Sequence, residues 1–195
     1  MRFAAVKAGH YLFIILWATS LMALVPGPVQ AQSYSASYKF LKAVKEKDYA
    51  AIKKAVEKGV NINTRDYDDK ATALVIAARQ KDSQLMKYLL ANGAKPNLYG
   101  DNGETALMLA VGLRSKEMTA ALLHYKADPD VTDKNGETAL IRAVIAKARN
   151  SVELLLEAGA DYTLEDYSGR TALQHAREGR NRRAIKLLEE AGAKF

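Results

Sequence analysis

The sequence predicts an all-α solenoid of about five helix-turn-helix repeats with a period of 33 residues. The first observation is that Asn-Gly-Glu-Thr-Ala-Leu at residues 102–107 returns unchanged at residues 135–140. The second is that Thr-Ala-Leu begins at residues 72, 105, 138 and 171, while Gly-Ala or Lys-Ala begins at 93, 126, 159 and 192. A fixed period of this length is typical of stacked units, none of which can bury its apolar face alone.

The first repeat is the least regular copy. Apolar residues at three- and four-residue spacing predict two helices, beginning at Tyr38 and separated near Lys47 and Asp48. Gly59 should end the second helix, as glycine often does. Tyr38 stands where later copies have Thr, and the many lysines suit a terminal repeat that packs on one side only.

The later repeats follow the same plan with two local differences. Thr72 can cap the first helix of repeat two. Gly59 to Thr72 spans 13 residues where later repeats have 12, so we expect the turn at residues 66–70 to contain one extra residue. The fifth repeat is rich in charged residues, as a closing cap requires, because no further repeat packs on its outer face.

This order of turn, Thr-x-Leu, two helices and Gly-Ala resembles the ankyrin repeat. Residues 133–140 and 166–173 resemble the family's turn and helix start, residues 154–161 resemble its second helix and exit, and the likeness extends over residues 38–195. The family's Pro is Ala in every copy, and its His is replaced by Val75, Met108, Ile141 and Gln174. We therefore expect apolar contacts in the middle repeats in place of the Thr–His hydrogen bonding that the resemblance implies.

The N-terminus has the layout of a secretory signal peptide. Arg2 and Lys7 precede an uncharged stretch at residues 11–25, and Pro-Gly-Pro at 26–28 is followed by a small-x-small site ending at Ala31. The stretch is shorter than the roughly 20 residues of a membrane-spanning helix, so cleavage is favoured over an uncleaved anchor. The layout resembles bacterial signals, which implies a signal peptide at 1–31, cleavage between Ala31 and Gln32, and a periplasmic domain at 32–195.

Catalysis, metals and cofactors find no support in the sequence. The chain has no cysteine, and His124 and His175 are the only histidines after the predicted cleavage site. Neither lies in a Ser-His-Asp motif, and there is no glycine-rich phosphate loop. Residues 66–69 (Asp-Tyr-Asp-Asp) lack the Gly and distant Glu of a calcium loop, so a solvated acidic turn is the preferred interpretation. We expect no cofactor and no enzymatic activity.

The basic composition leaves a second hypothesis open. The whole chain carries a net charge of +7, and a cluster of four arginines occurs in the last repeat, Arg177, Arg180, Arg182 and Arg183. Export makes nucleic acid an improbable partner, and a basic terminal helix is usually solvated surface. The alternative to protein binding is therefore an anionic polymer of the cell envelope, held by this cluster.

The ankyrin resemblance implies that the turns and the inner face of the first helices form a concave protein-binding surface. Tyrosine and arginine carry much of the binding energy at protein interfaces, so Tyr67, Tyr99, Tyr167 and Arg142 are the leading candidates. We expect all four to be exposed and to project to one side. The full set of candidate contacts is Tyr67, Asp68, Tyr99, Asp101, Lys134, Arg142, Tyr167, Arg170 and His175.

Together these observations predict a monomeric, non-catalytic periplasmic module without a membrane anchor after cleavage. We expect its partner to be another envelope protein, such as an exported enzyme that it regulates, inhibits or protects. The polymer-binding hypothesis stays as the alternative, and an enzyme of unrecognised class is the least favoured.

Overall fold

A computed structural model describes the backbone of residues 28–194 and the side chains of residues 35–194. The chain divides after Ser35 into two units. The described residues of the first unit are helical, and they include Ala31 and Gln32. The rest of the predicted signal peptide, including the apolar stretch at residues 11–25, lies outside the described residues.

Ten α-helices, arranged as five consecutive pairs, form the described part of the chain. Short antiparallel bridges join Arg65 to Thr72, Tyr99 to Thr105 and Glu165 to Thr171 across three of the connecting turns. The helices are α1 Pro28–Glu46, α2 Tyr49–Glu57, α3 Ala73–Arg79, α4 Ser83–Ala91, α5 Ala106–Gly112, α6 Lys116–His124, α7 Ala139–Ile145, α8 Arg149–Glu157, α9 Ala172–Glu178 and α10 Arg182–Glu190.

The first helix begins ten residues before the expected start at Tyr38. Pro28 occupies its first position, where the missing N–H and the fixed φ are tolerated. The sequence from there to Glu46 contains no glycine and no further proline to end the helix. The expected separation near Lys47 and Asp48 is confirmed, because α1 ends at Glu46 and α2 begins at Tyr49.

Threonine caps the first helix of repeats two to five. The side-chain oxygen of Thr72 accepts a hydrogen bond from the N–H of Val75, and Thr105, Thr138 and Thr171 do the same in their repeats. Each cap satisfies an N–H that has no partner within the helix, which typically contributes about 1 kcal/mol. The expected cap at Thr72 is confirmed.

The positions that replace the family histidine behave as expected in the middle repeats. Val75, Met108 and Ile141 are fully buried between neighbouring helices. Gln174 is different, because it is exposed and its side chain accepts a hydrogen bond from the N–H of Thr171 at 2.7 Å. Together with the Thr171 cap, this forms a capping box at the start of the last repeat.

The repeats stack in two layers. First helices α3, α5, α7 and α9 pack side by side, as do second helices α4, α6, α8 and α10. One continuous core runs through the unit that begins at Ala36, and its largest buried members include Phe40, Leu74, Leu107, Leu140 and Leu188. Each repeat thus buries its apolar face against its neighbours, as the period predicts.

The expected insertion in repeat two is confirmed. The N–H of Asp66 donates to the carbonyl of Ala71, five residues ahead, at 2.9 Å. At the equivalent place in repeat four, Asp133 donates to Glu137, four residues ahead, at 3.1 Å. The longer turn brings Lys70 into the left-handed region at φ 53°, whereas the shorter turn has Gly136 there at φ 77°.

None of the helices within residues 28–194 combines the length and the apolar character that crossing a bilayer requires.

Candidate protein-binding surface

Four turns precede the first helices of repeats two to five, and we call them the tip turns (residues 66–71, 100–104, 133–137 and 166–170). In repeat four, Oδ1 of Asp133 accepts hydrogen bonds from the N–H groups of Asn135 at 2.8 Å and Glu137 at 2.9 Å. Asp166 does the same for Ser168 and Arg170 in repeat five. A carboxylate that binds its own turn in this way fixes the turn's conformation.

Backbone hydrogen bonds join each tip turn to the next. Asp101 donates to the carbonyl of Asp69 at 2.9 Å, Lys134 to that of Asn102 at 3.2 Å, and Tyr167 to that of Asn135 at 2.9 Å. The four turns therefore form one connected edge along the stack. Side chains on this edge are held at positions fixed relative to one another.

The three candidate tyrosines are exposed, and each ring has a defined neighbour. Tyr67 is 83% exposed with the Lys70 ammonium 4.9 Å from its ring centroid. Tyr99 is 47% exposed, and the Arg65 guanidinium lies 5.0 Å from its centroid. The ring of Tyr167, 78% exposed, packs directly on Gly136, where an added Cβ would lie 2.6 Å from its Cδ1. These contacts restrain rings that still present an open face to solvent.

Tyr99 does not occupy the position within its repeat that Tyr67 and Tyr167 occupy in theirs. Its bridge to Thr105 corresponds to the Arg65–Thr72 and Glu165–Thr171 bridges. Tyr99 is therefore equivalent to Arg65 and Glu165, and it stands two residues before the position that Tyr167 occupies. Tyr67 and Tyr167 are equivalent, since each follows the first aspartate of its tip turn.

The expectation that Arg142 is freely exposed is wrong. Its side chain is only 20% exposed and is enclosed by three carboxylates. Its guanidinium donates to Glu104 at 2.8 Å and to Asp133 at 2.5 Å, and Nε lies 3.2 Å from Oε2 of Glu137. Burial by itself would lower the pKa of Arg142, but hydrogen bonds to Glu104 and Asp133 outweigh it and raise the pKa. Arg142 joins the tip turns of repeats three and four.

His175, at the equivalent position in repeat five, is similarly occupied. Its side chain is 9% exposed, and Nε2 lies 2.7 Å from Oδ2 of Asp166. Burial favours a higher pKa for Asp166, but hydrogen bonds from His175 and from the N–H groups of Arg170 and Ser168 outweigh it, so the pKa is lowered. The Arg170 guanidinium lies 3.0 Å from Glu178.

The remaining candidates, Asp68, Asp101 and Lys134, are exposed on the tip turns. The three tyrosines and these three residues define the tip surface, which carries both acidic and basic side chains. The sequence-based selection omitted Arg65 and Lys70, which orient Tyr99 and Tyr67. The repeat period shows that Arg65 and Tyr99 are equivalent positions. It does not show that the Arg65 guanidinium contacts the Tyr99 ring of the next repeat.

No cluster of three or more His, Cys, Asp or Glu side chains among the described residues could hold a metal ion. A search of curated protein sequences gives no match to the chain. Comparison with protein-family models finds ankyrin repeats, in three copies, matching residues 40–133 and 114–195. Proteins built from these repeats are generally non-catalytic modules that bind other proteins. The matched segments cover most of the sequence, and their turns, caps and stacked helices are those described above, so the chain belongs to the ankyrin-repeat family.

Proposed function

We propose that the chain is exported to the periplasm and binds another envelope protein through its tip surface, thereby regulating, inhibiting or protecting an exported enzyme. Family membership supports protein binding, and the charge and hydropathy pattern of residues 1–31 supports export. The two parts of the proposal rest on separate observations and are tested separately.

The observation that carries the binding proposal is the set of restrained, exposed tyrosines on the connected tip turns (Tyr67 and Tyr167) and directly before one of them (Tyr99). An aromatic ring that is already oriented loses little conformational freedom when a partner covers it. Tyr67 and Tyr167 sit at equivalent positions three repeats apart, with Tyr99 between them. A partner that spans these three rings would contact a surface with fixed spacing, which is the basis of specific recognition.

Electrostatics favours a protein over a polyanion at this surface. The tip turns carry both signs of charge, because Asp68 and Asp101 are acidic while Lys70, Lys134 and the paired Arg170 are basic. A polyanion would be repelled by the acidic members, whereas a folded partner can match each sign locally.

Replacing Tyr67 and Tyr167 together by Ala should weaken binding to the captured partner by about thirtyfold or more, because interface tyrosines of this kind contribute 2 kcal/mol or more. The partner would be isolated by pull-down from a periplasmic extract, identified by mass spectrometry and titrated calorimetrically. Tyr38 and Tyr125 are exposed tyrosines away from the tip turns, at 69% and 39%. The double variant Tyr38→Ala/Tyr125→Ala is therefore the matched control and should bind like the parent.

Salt separates the protein-binding proposal from its alternative. Binding that survives the Tyr67/Tyr167 change, but is lost by Arg182→Ala/Arg183→Ala at low salt only, would contradict the tip-surface proposal. That result would favour the anionic-polymer hypothesis, because exposed charge contacts weaken steeply as ionic strength rises.

Export predicts that the protein isolated from cells starts at Gln32. Trp17, the only tryptophan, would then be absent from the mature chain, so its emission should show tyrosine alone. Intact mass measurement checks the same cleavage directly. A mature protein that retains residues 1–31, with tryptophan emission, would overturn cleavage and indicate a membrane-anchored form instead.

A further inference from the structure

A basic residue occupies the same position in all five repeats, in the turn that joins the first helix to the second. We call these residues, Lys47, Lys81, Arg114, Lys147 and Arg180, the turn edge. All five are exposed. Within the described residues their charged groups have no ion-pair partner, unlike the neighbouring Arg177, which contacts Glu189 at 3.3 Å.

The backbone at the turn edge makes these side chains unexpected. Each residue has a positive φ, between 49° for Arg180 and 60° for Lys81. Glycine adopts this left-handed region freely, whereas a residue with a Cβ is disfavoured there. Backbone conformation alone would therefore favour glycine at each of the five positions. The positive charge found there instead indicates that these side chains bind a negatively charged partner.

The repeat geometry places the five charges in a row. Neighbouring helix axes in packed layers lie roughly 8–10 Å apart, so the row extends about 40 Å along the stack. The tip turns lie at the opposite end of the short first helices, so the turn edge is a separate surface. Adjacent charges are about one Debye length apart at physiological salt, which limits their mutual repulsion.

Exposed apolar side chains accompany this row. Tyr49 is 54% exposed two residues after Lys47, Leu113 is 36% exposed beside Arg114, and Ile145 is 50% exposed two residues before Lys147. Large aliphatic groups gain little from a soluble polyanion. They do gain free energy from the boundary between lipid headgroups and acyl chains, where basic side chains reach anionic headgroups at the same time.

We propose that the turn edge docks the protein onto an anionic lipid bilayer. The five charged side chains lie in a row at the ends of the helical hairpins. A row of this kind can contact a flat bilayer surface with all five charges. Each basic residue near such a surface increases partitioning about fivefold. This docking is independent of protein binding at the tip surface, which it would leave facing away from the membrane.

The test is co-sedimentation with phosphatidylcholine vesicles that contain no anionic lipid or 30% phosphatidylglycerol. The variant Lys147→Gly/Arg180→Gly removes two turn-edge charges and relieves two left-handed residues, so it should fold at least as well as the parent. Its matched control is Lys70→Gly/Lys126→Gly. These lysines also have positive φ, 53° and 63°, but lie away from the turn edge. All proteins are compared with the same N-terminus, and melting temperatures verify their folding.

We expect the parent to bind the anionic vesicles and not the neutral ones. The turn-edge variant should lose about 25-fold in partition coefficient, and the control should lose less than fivefold. Leu113→Ser/Ile145→Ser should weaken vesicle binding several-fold at unchanged charge.

Four results would overturn docking at the turn edge. The parent could fail to bind anionic vesicles, or could bind neutral vesicles equally well. The two glycine variants could lose the same factor in partition coefficient, which would show an effect of net charge alone. Lastly, tight binding of inorganic polyphosphate, with vesicle binding insensitive to the Leu113 and Ile145 changes, would replace the membrane by a soluble polyanion.

Discussion

Leu140→Ala is expected to lower the free energy of unfolding by about 2–5 kcal/mol. Leu140 is 1% exposed on α7, which packs between α5 and α9, so truncation leaves a cavity bounded by three repeats. In a one-dimensional stack the loss also weakens the coupling between neighbours, and the urea unfolding transition should become broader. Urea denaturation followed by circular dichroism measures both effects.

A control for Leu140 lies on the same helix. Ile145 ends α7 and is 50% exposed, so Ile145→Ala removes a similar aliphatic side chain without opening a cavity. Its cost should stay below about 1 kcal/mol, as for most exposed positions. Equal stability of the Leu140→Ala protein and the parent would show that the repeat register assigned to α7 is wrong.

The fold could be predicted from the sequence because the same pattern of capping and buried residues occurs in several successive repeats. Leu74, Leu107 and Leu140 occur at equal intervals behind a capping threonine, and a local pattern of this kind determines both the helix and its buried face. The insertion before Thr72 could be predicted because the spacing from Gly59 to Thr72 is one residue longer than the equivalent spacing in later repeats. The start of α1 was not visible, since residues 28–37 carry no repeat pattern.

The candidate surface was predicted less completely, because exposure depends on contacts between repeats. Arg142 was selected as a free binding residue from its position on the helix. Its partner Glu104 lies 38 residues earlier, and the two meet only when the tip turns stack. A period identifies equivalent positions, but it does not state whether an arginine there faces solvent or a neighbouring carboxylate. The same limit applies to Tyr99, whose neighbour Arg65 belongs to the preceding repeat.

Arg142→Ala should destabilise the fold by about 3 kcal/mol at pH 7, because it leaves partly buried carboxylates without their counter-charge. Asp133 is the most enclosed of them, with a side chain 1% exposed, while Glu104 is 19% exposed. Arg142→Lys keeps the charge but cannot donate to several carboxylates in a planar arrangement, so an intermediate loss is expected. Urea denaturation of the three proteins measures the series.

The matched control for Arg142 is Arg79, which ends α3 and pairs with Asp69 of its own tip turn. That pair is solvent-exposed, at 33% and 39%, so Arg79→Ala should cost less than about 1 kcal/mol. A loss at Arg142 no larger than the loss at Arg79 would show that the three carboxylates do not depend on Arg142.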